Sequence, residues 1–107
     1  MENLMTKPNI TKQQLLNVIK TWGEQKITSD QLQSWMVTNY DPDDNDIGLG
    51  EPEWTQEAMN IVMNEYEIAK QEKFRLEKYH LAIDFITANE SKFNQTKHLF
   101  LHEGFSD

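Results

Sequence analysis

Two six-residue segments of this chain have the composition of an α-helix start, and they constrain the N-terminal third of any fold it can adopt. They are Ile-Thr-Lys-Gln-Gln-Leu at 10–15 and Ile-Thr-Ser-Asp-Gln-Leu at 27–32. In each segment Thr is placed to cap the helix, and Gln three residues later closes a capping box. The flanking Ile and Leu are placed to form a hydrophobic staple. The sequence therefore predicts two successive helices, joined by a short link as an antiparallel hairpin.

Apolar residues at helical spacing support both helices. The first is predicted to stop near Gly23, in the role of a left-handed cap, and the second where Asp41-Pro42 forbids continuation. The apolar positions of the first are Leu15, Leu16, Val18, Ile19 and Trp22, and those of the second are Leu32, Trp35, Met36 and Tyr40.

The second half of the chain has neither Pro nor Gly between Pro52 and Gly104. Pro52 suits the first position of a helix, but one continuous helix from there to Asn89 would be about 55 Å long. We therefore expect a break within 70–74 and a further helix that ends at Asn89. Residues 91–102 are expected to form a short fifth helix capped by Ser91, in preference to an extended arm.

These patterns predict an all-α fold of four or five short helices, with the N-terminal hairpin packed on the longer helix from Pro52. The 107 residues have room for one domain. We expect frayed ends at 1–9 and 103–107 and an acidic loop at 41–52. The expected core is Leu15, Ile19, Trp22, Leu32, Trp35, Ile61, Val62, Tyr79, Ile83 and Ile86.

The net charge of −8 is concentrated in one part of the chain. Between Ile27 and Ala69 there is neither Lys nor Arg. A field of one sign speeds encounter with a basic partner and repels nucleic acid and anionic membrane. A surface that only keeps the protein in solution is the simpler interpretation of the same acids. They are Asp30, Asp41, Asp43, Asp44, Asp46, Glu51, Glu53, Glu57, Glu65 and Glu67.

Patterns typical of metal sites and catalysis are incomplete. Asp41, Asp43 and Asn45 match the first, third and fifth positions of an EF-hand loop, but Pro52 stands where the bidentate Glu is required. His98 and His102 have the spacing of two ligands on one helix face, without an evident third ligand. The sequence has no Gly-rich phosphate loop and no nucleophile elbow. We expect a protein that is not an enzyme and that has no cofactor and no metal.

Lys70, Lys73, Arg75 and Lys78 alternate with acids, a pattern more typical of a solvated helix face than of a nucleic-acid site. The chain has no Cys, and we find neither a signal peptide nor an apolar run of membrane-spanning length. We expect a cytoplasmic protein with no direct nucleic-acid or membrane partner.

From Leu15 to about Phe85 the chain resembles small bacterial all-helical proteins. The shared features are Trp22-Gly23, then Ile27-Thr28, then Leu32 and Trp35, with a later helix after an acidic linker. That group includes the immunity-type proteins of bacteriocin and contact-dependent inhibition systems. The resemblance implies a protein that binds and neutralises a cognate toxin.

The charge and the resemblance together suggest a small acidic inhibitor of a basic protein, such as a nuclease toxin, that covers its nucleic-acid-binding surface. One alternative is a phage-type, anti-CRISPR-like mimic of DNA charge directed at a defence nuclease complex. Another is a helical adaptor that docks through Met59, Met63 or Phe100, or a structural homo-dimer. The candidate partner-binding residues are Tyr40, Asp41, Asp43, Asp44, Asp46, Glu51, Glu53, Trp54 and Glu57.

Overall fold

The computed structural model describes residues 9–106, and this part of the chain folds into five α-helices and one short pair of strands. The prediction of an all-α fold is confirmed. Helix α1 packs on α4 and helix α2 on α3, while α3 also contacts α4 and α5. The elements are β1 (Asn9–Ile10), α1 (Lys12–Gly23), α2 (Ser29–Asn39), β2 (Asp46–Ile47), α3 (Glu53–Ile68), α4 (Tyr79–Thr87) and α5 (Phe93–Glu103).

Both predicted capping boxes are present. The Gln14 backbone N–H donates to the Thr11 hydroxyl at 3.0 Å, and the Gln14 side chain accepts from the Thr11 N–H at 2.8 Å. Thr28 and Gln31 repeat the arrangement at 3.1 and 2.9 Å. Each box satisfies donors that a helix start otherwise leaves without partners, so these local signals fix where α1 and α2 begin.

The predicted role of Gly23 is wrong. The left-handed residue is Gln25, with φ of 63°, and Gly23 is the last residue of α1. The Gln25 N–H bonds Trp22 O at 2.9 Å and the Lys26 N–H bonds Thr21 O at 3.0 Å, which is a Schellman motif. Gly23 is required for packing instead, because a Cβ there would overlap the ring of Tyr79.

The core contains six of the ten predicted residues: Leu15, Ile19, Trp22, Leu32, Val62 and Ile86. The prediction is wrong for four others, which are only partly buried against it: Trp35, Ile61, Tyr79 and Ile83. On α3 the reason is the rotation of the helix about its axis, since its buried face is formed by Thr55, Ala58, Met59, Val62, Met63 and Tyr66. That face leaves Ile61 at the edge and Trp54 outside the buried set.

Tyr66 lies at the centre of a cluster of aromatic rings. Its ring centroid is 5.6 Å from that of Trp22, 5.1 Å from Phe74, 5.7 Å from Phe100 and 5.3 Å from Phe105. Burial raises the pKa of the Tyr66 phenol far above its usual value of 10. The cluster joins α1, α3 and α5 to Phe74, in the segment between α3 and α4, and to Phe105 after α5.

The ends of the described segment are tied to the rest of the fold. Asn9 pairs with Asp46, and the Ser106 N–H bonds Lys73 O at 2.8 Å. Fraying was predicted for 1–9 and 103–107, and it stays a prediction. Residues 1–8 and 107 lie outside the described part of the chain.

The predicted break after α3 is confirmed, because α3 ends at Ile68 and two 3-10 helices follow at Gln71–Lys73 and Leu76–Lys78. The sequence suggested that the basic residues of 70–78 share one helix face. They do not, because this segment is not an α-helix.

The Gln33 side chain of α2 closes the end of α3. Its Nε2 lies 3.1 Å from Tyr66 O, 3.3 Å from Glu67 O and 2.7 Å from Ala69 O.

Three predicted helix boundaries differ from the structure. Pro52 precedes the first residue of α3 instead of occupying it, and α4 ends at Thr87 instead of Asn89. A 3-10 helix, Glu90–Lys92, leads into α5, and its cap is Asn89, whose side chain accepts from the Lys92 N–H at 3.1 Å. Ser91 was predicted to be that cap, but its hydroxyl donates to the Asn89 side chain at 2.8 Å.

Candidate partner-binding surface

The acidic loop, residues 41–52, connects α2 to α3 and has a defined backbone. Asp41 O accepts from the Asp44 N–H at 3.0 Å and from the Asn45 N–H at 2.6 Å. The Asn45 side chain donates to Asn39 O at 2.6 Å, so the loop also caps the end of α2. A backbone that is already held in this way needs little further ordering, which lowers the entropy lost on binding.

A parallel strand pair joins the acidic loop to the start of the described chain. Ile10 is paired with Ile47, and the Gly48 N–H bonds Ile10 O at 2.8 Å. Both isoleucines are buried, and Gly48 turns the chain with φ of 72° directly above Met59. A Cβ on Gly48 would lie 2.7 Å from the Met59 sulfur, so the glycine permits both the turn and the close approach.

The predicted acids differ in exposure. Asp41, Asp43 and Asp44 are exposed on the loop, whereas Asp46 in β2 is partly buried. Glu51 is also partly buried, and its carboxylate pairs with the Lys12 ammonium at 3.5 Å. Glu51 is thus matched by a lysine of α1, which lies outside the acidic stretch of the sequence.

The two candidate anchor residues have different surroundings. Tyr40 packs against the core, and burial, followed by the charge of Glu67, raises its pKa above 10. Trp54 is partly exposed in the first turn of α3, and it is not among the described side chains that pack on the core. Trp54 is thus the one of the two whose ring lies toward a surface groove.

A groove of about 360 Å³ lies between the start of α3 and the start of α5. We call it the acidic groove. Sequence reasoning identified three of its residues and missed three, because the latter come from a segment more than thirty residues farther along the chain. Its lining is formed by Glu53, Trp54, Glu57, Glu90, Phe93 and Asn94.

Other candidate chemistry is less developed. The imidazole rings of His98 and His102 are exposed on α5 with centroids 4.3 Å apart. Within residues 9–106, no group of three or more His, Cys, Asp or Glu is arranged to hold a metal ion. None of the helices in that range is both long enough and apolar enough to cross a membrane.

The apolar docking residues of the adaptor hypothesis are not accessible. Met59, Met63 and Phe100 have no exposed surface and belong to the core. The large apolar side chains that are exposed in the described chain are Val37, Leu49, Ile68 and Leu99. These four residues lie on four different elements. The prediction that Met59, Met63 or Phe100 docks a partner is wrong, because all three are buried.

Comparison of the chain with protein-family models, with curated proteins and with solved structures gives no match. The function is therefore inferred from the surface itself.

Proposed function

We propose that this protein is a small acidic inhibitor, of the immunity type, that binds a basic protein and covers its nucleic-acid-binding surface. A nuclease is the class of target that such a surface fits. The observation that carries the proposal is the ordered display of the acids of 41–57 in a stretch that has no Lys or Arg from 27 to 69. Nuclease surfaces that bind phosphate present the opposite charge.

This arrangement favours fast association and favours basic partners over acidic ones. Clustered carboxylates steer a basic protein toward the surface and raise the association rate, an effect that added salt removes. Because the loop backbone is already hydrogen-bonded, little ordering is required on binding. The same field disfavours acidic proteins and nucleic acid.

The test is capture of the target from a lysate of the source organism on immobilised protein, followed by an activity assay of what is captured. We expect a basic nuclease that elutes with salt and whose cleavage of DNA or RNA falls in proportion to added inhibitor. Asp41→Asn/Asp43→Asn should slow association several-fold, whereas the control Glu72→Gln/Glu77→Gln, with the same change in charge, should not. Full nuclease activity at saturating protein would contradict the proposal.

A further inference from the structure

The acidic groove has the composition of a pocket for one cationic side chain. Glu53 and Glu57 line it from α3, and Glu90 lines it from the 3-10 helix before α5. Two aromatic rings, those of Trp54 and Phe93, are also in the lining. Carboxylates that surround aromatic faces are the environment in which proteins hold guanidinium and ammonium groups.

The carboxylates of the groove are not neutralised within the fold. In residues 9–106, Glu53, Glu57 and Glu90 have no ion-pair partner. Glu53 and Glu57 are four residues apart on α3, a like-charge spacing that destabilises a helix. A cation bound in the groove would relieve that repulsion.

One of the two aromatic rings in the groove lining contacts a cation of the protein itself. The Lys97 ammonium lies over the ring of Phe93, 5.9 Å from its centroid. Lys97 lies one turn farther along α5 and does not line the groove, so the contact concerns the Phe93 ring and not the groove itself. Lys97 occupies that ring but does not pair with any of the three glutamates.

We propose that the acidic groove is the anchor site of the interface and that it takes an arginine side chain of the basic partner. The occupant is arginine because a planar guanidinium can stack on Trp54 while it donates to the flanking carboxylates, and an ammonium cannot do both equally well. The volume of about 360 Å³ suits one long side chain. This inference rests on the proposed function and names the part of the partner that is recognised.

The test uses the full chain and two fluorescent peptides, nona-arginine and nona-lysine, with binding measured by fluorescence anisotropy at low salt. We expect the arginine peptide to bind more tightly. Trp54→Ala should weaken its binding about two- to five-fold, and Trp54→Phe should restore most of the loss. Equal affinity for the two peptides, together with no effect of Trp54→Ala, would overturn the proposal.

The decisive comparison is between two exposed glutamates in 3-10 helices, Glu90 in the groove and Glu72 outside it. Glu90→Gln should weaken binding of nona-arginine about two- to five-fold, and Glu72→Gln should leave it nearly unchanged. Glu53→Gln/Glu57→Gln should weaken binding further, and urea unfolding of the same variant should show that it stays folded under the conditions of the assay. Lys97→Met should strengthen binding, because it removes a nearby positive charge and frees the Phe93 ring that Lys97 contacts.

The outcomes separate the two proposals. If wild-type protein binds the arginine peptide but Glu90→Gln and Glu72→Gln weaken it equally, the groove is not the anchor, and the general acidic surface still is the interface. If the wild-type protein does not bind the peptide even at low salt, both proposals are overturned.

Discussion

The side chain of Gln33 provides a test of how α2 and α3 are held together. Its amide Nε2 reaches three carbonyl oxygens at the end of α3, and its Oε1 accepts from Gln71 Nε2 at 2.9 Å. The substitution Gln33→Glu keeps the shape of the side chain and the acceptor for Gln71. It replaces the donor by an anionic oxygen that faces other oxygens.

The magnitude follows from what is lost. The two hydrogens of Nε2 give two full hydrogen bonds, each with a net contribution of about 1 kcal/mol. A negative charge at the C-terminal end of a helix costs about 0.3–1 kcal/mol more. We therefore expect Gln33→Glu to lower the free energy of unfolding by about 2–3 kcal/mol, which in urea corresponds to a midpoint lower by about 1–2 M.

The assay is urea unfolding followed by the fluorescence of tryptophan, since Trp22 is buried in the core. The control is Gln95→Glu, an equal change in charge at an exposed position of α5, expected to alter stability by less than about 0.5 kcal/mol. The carbonyl oxygens around the new carboxyl raise its native pKa above the ordinary value of about 4.3, so the deficit should shrink as the pH is lowered toward 4.3, where the protonated carboxyl donates again. A Gln33→Glu midpoint equal to that of the control would refute the reasoning.

Three further predictions concern stability. Gly23→Ala should lower the free energy of unfolding by about 1–3 kcal/mol, because its Cβ would overlap the ring of Tyr79; an unchanged melting temperature would contradict that contact. Gln25→Gly should raise it by about 1 kcal/mol, seen as a higher urea midpoint, since Gln25 has φ of 63° and glycine adopts that conformation without strain. Because the pKa of Tyr66 is raised, above pH 10 the unfolded chain loses a proton that the native protein keeps. The free energy of unfolding should therefore fall there by about 1.4 kcal/mol per pH unit. In urea titrations at pH 9–11, Tyr66→Phe should remove that share of the slope.

The helix starts could be predicted from the sequence because the signals that set them are local. Each capping box joins residues only three positions apart, and Thr11 and Thr28 make the contacts that their spacing indicates. The end of α1 was harder to predict. The chain places the strained φ on Gln25 and uses Gly23 for a contact with a helix that begins more than fifty residues later.

The candidate surface was predictable only in part, because some of its residues are brought together by contacts between distant segments. The run of acids from Asp41 to Glu57 is visible in the sequence, and so is Trp54 beside it. The pairing of Ile10 with Ile47 and the approach of Glu90 and Phe93 to α3 depend on how distant segments pack. The predicted core also included Ile61, which lies outside the buried face of α3. Apolar residues on several sides of this helix are compatible with more than one rotation about its axis, so periodicity alone does not select the buried face.

The stretch from 27 to 69 without lysine or arginine also determines how the protein can be handled at the bench. Trypsin cuts after Lys26 and Lys70, so α2, the loop and α3 remain in one peptide that a single mass can track. Amine-reactive dyes and resins do not react within 27–69, but acylation of Lys12 or Lys97 would disturb Glu51 or Phe93. Carbodiimide coupling acts on carboxylates and would modify the surface itself, so the protein is best immobilised through its amines.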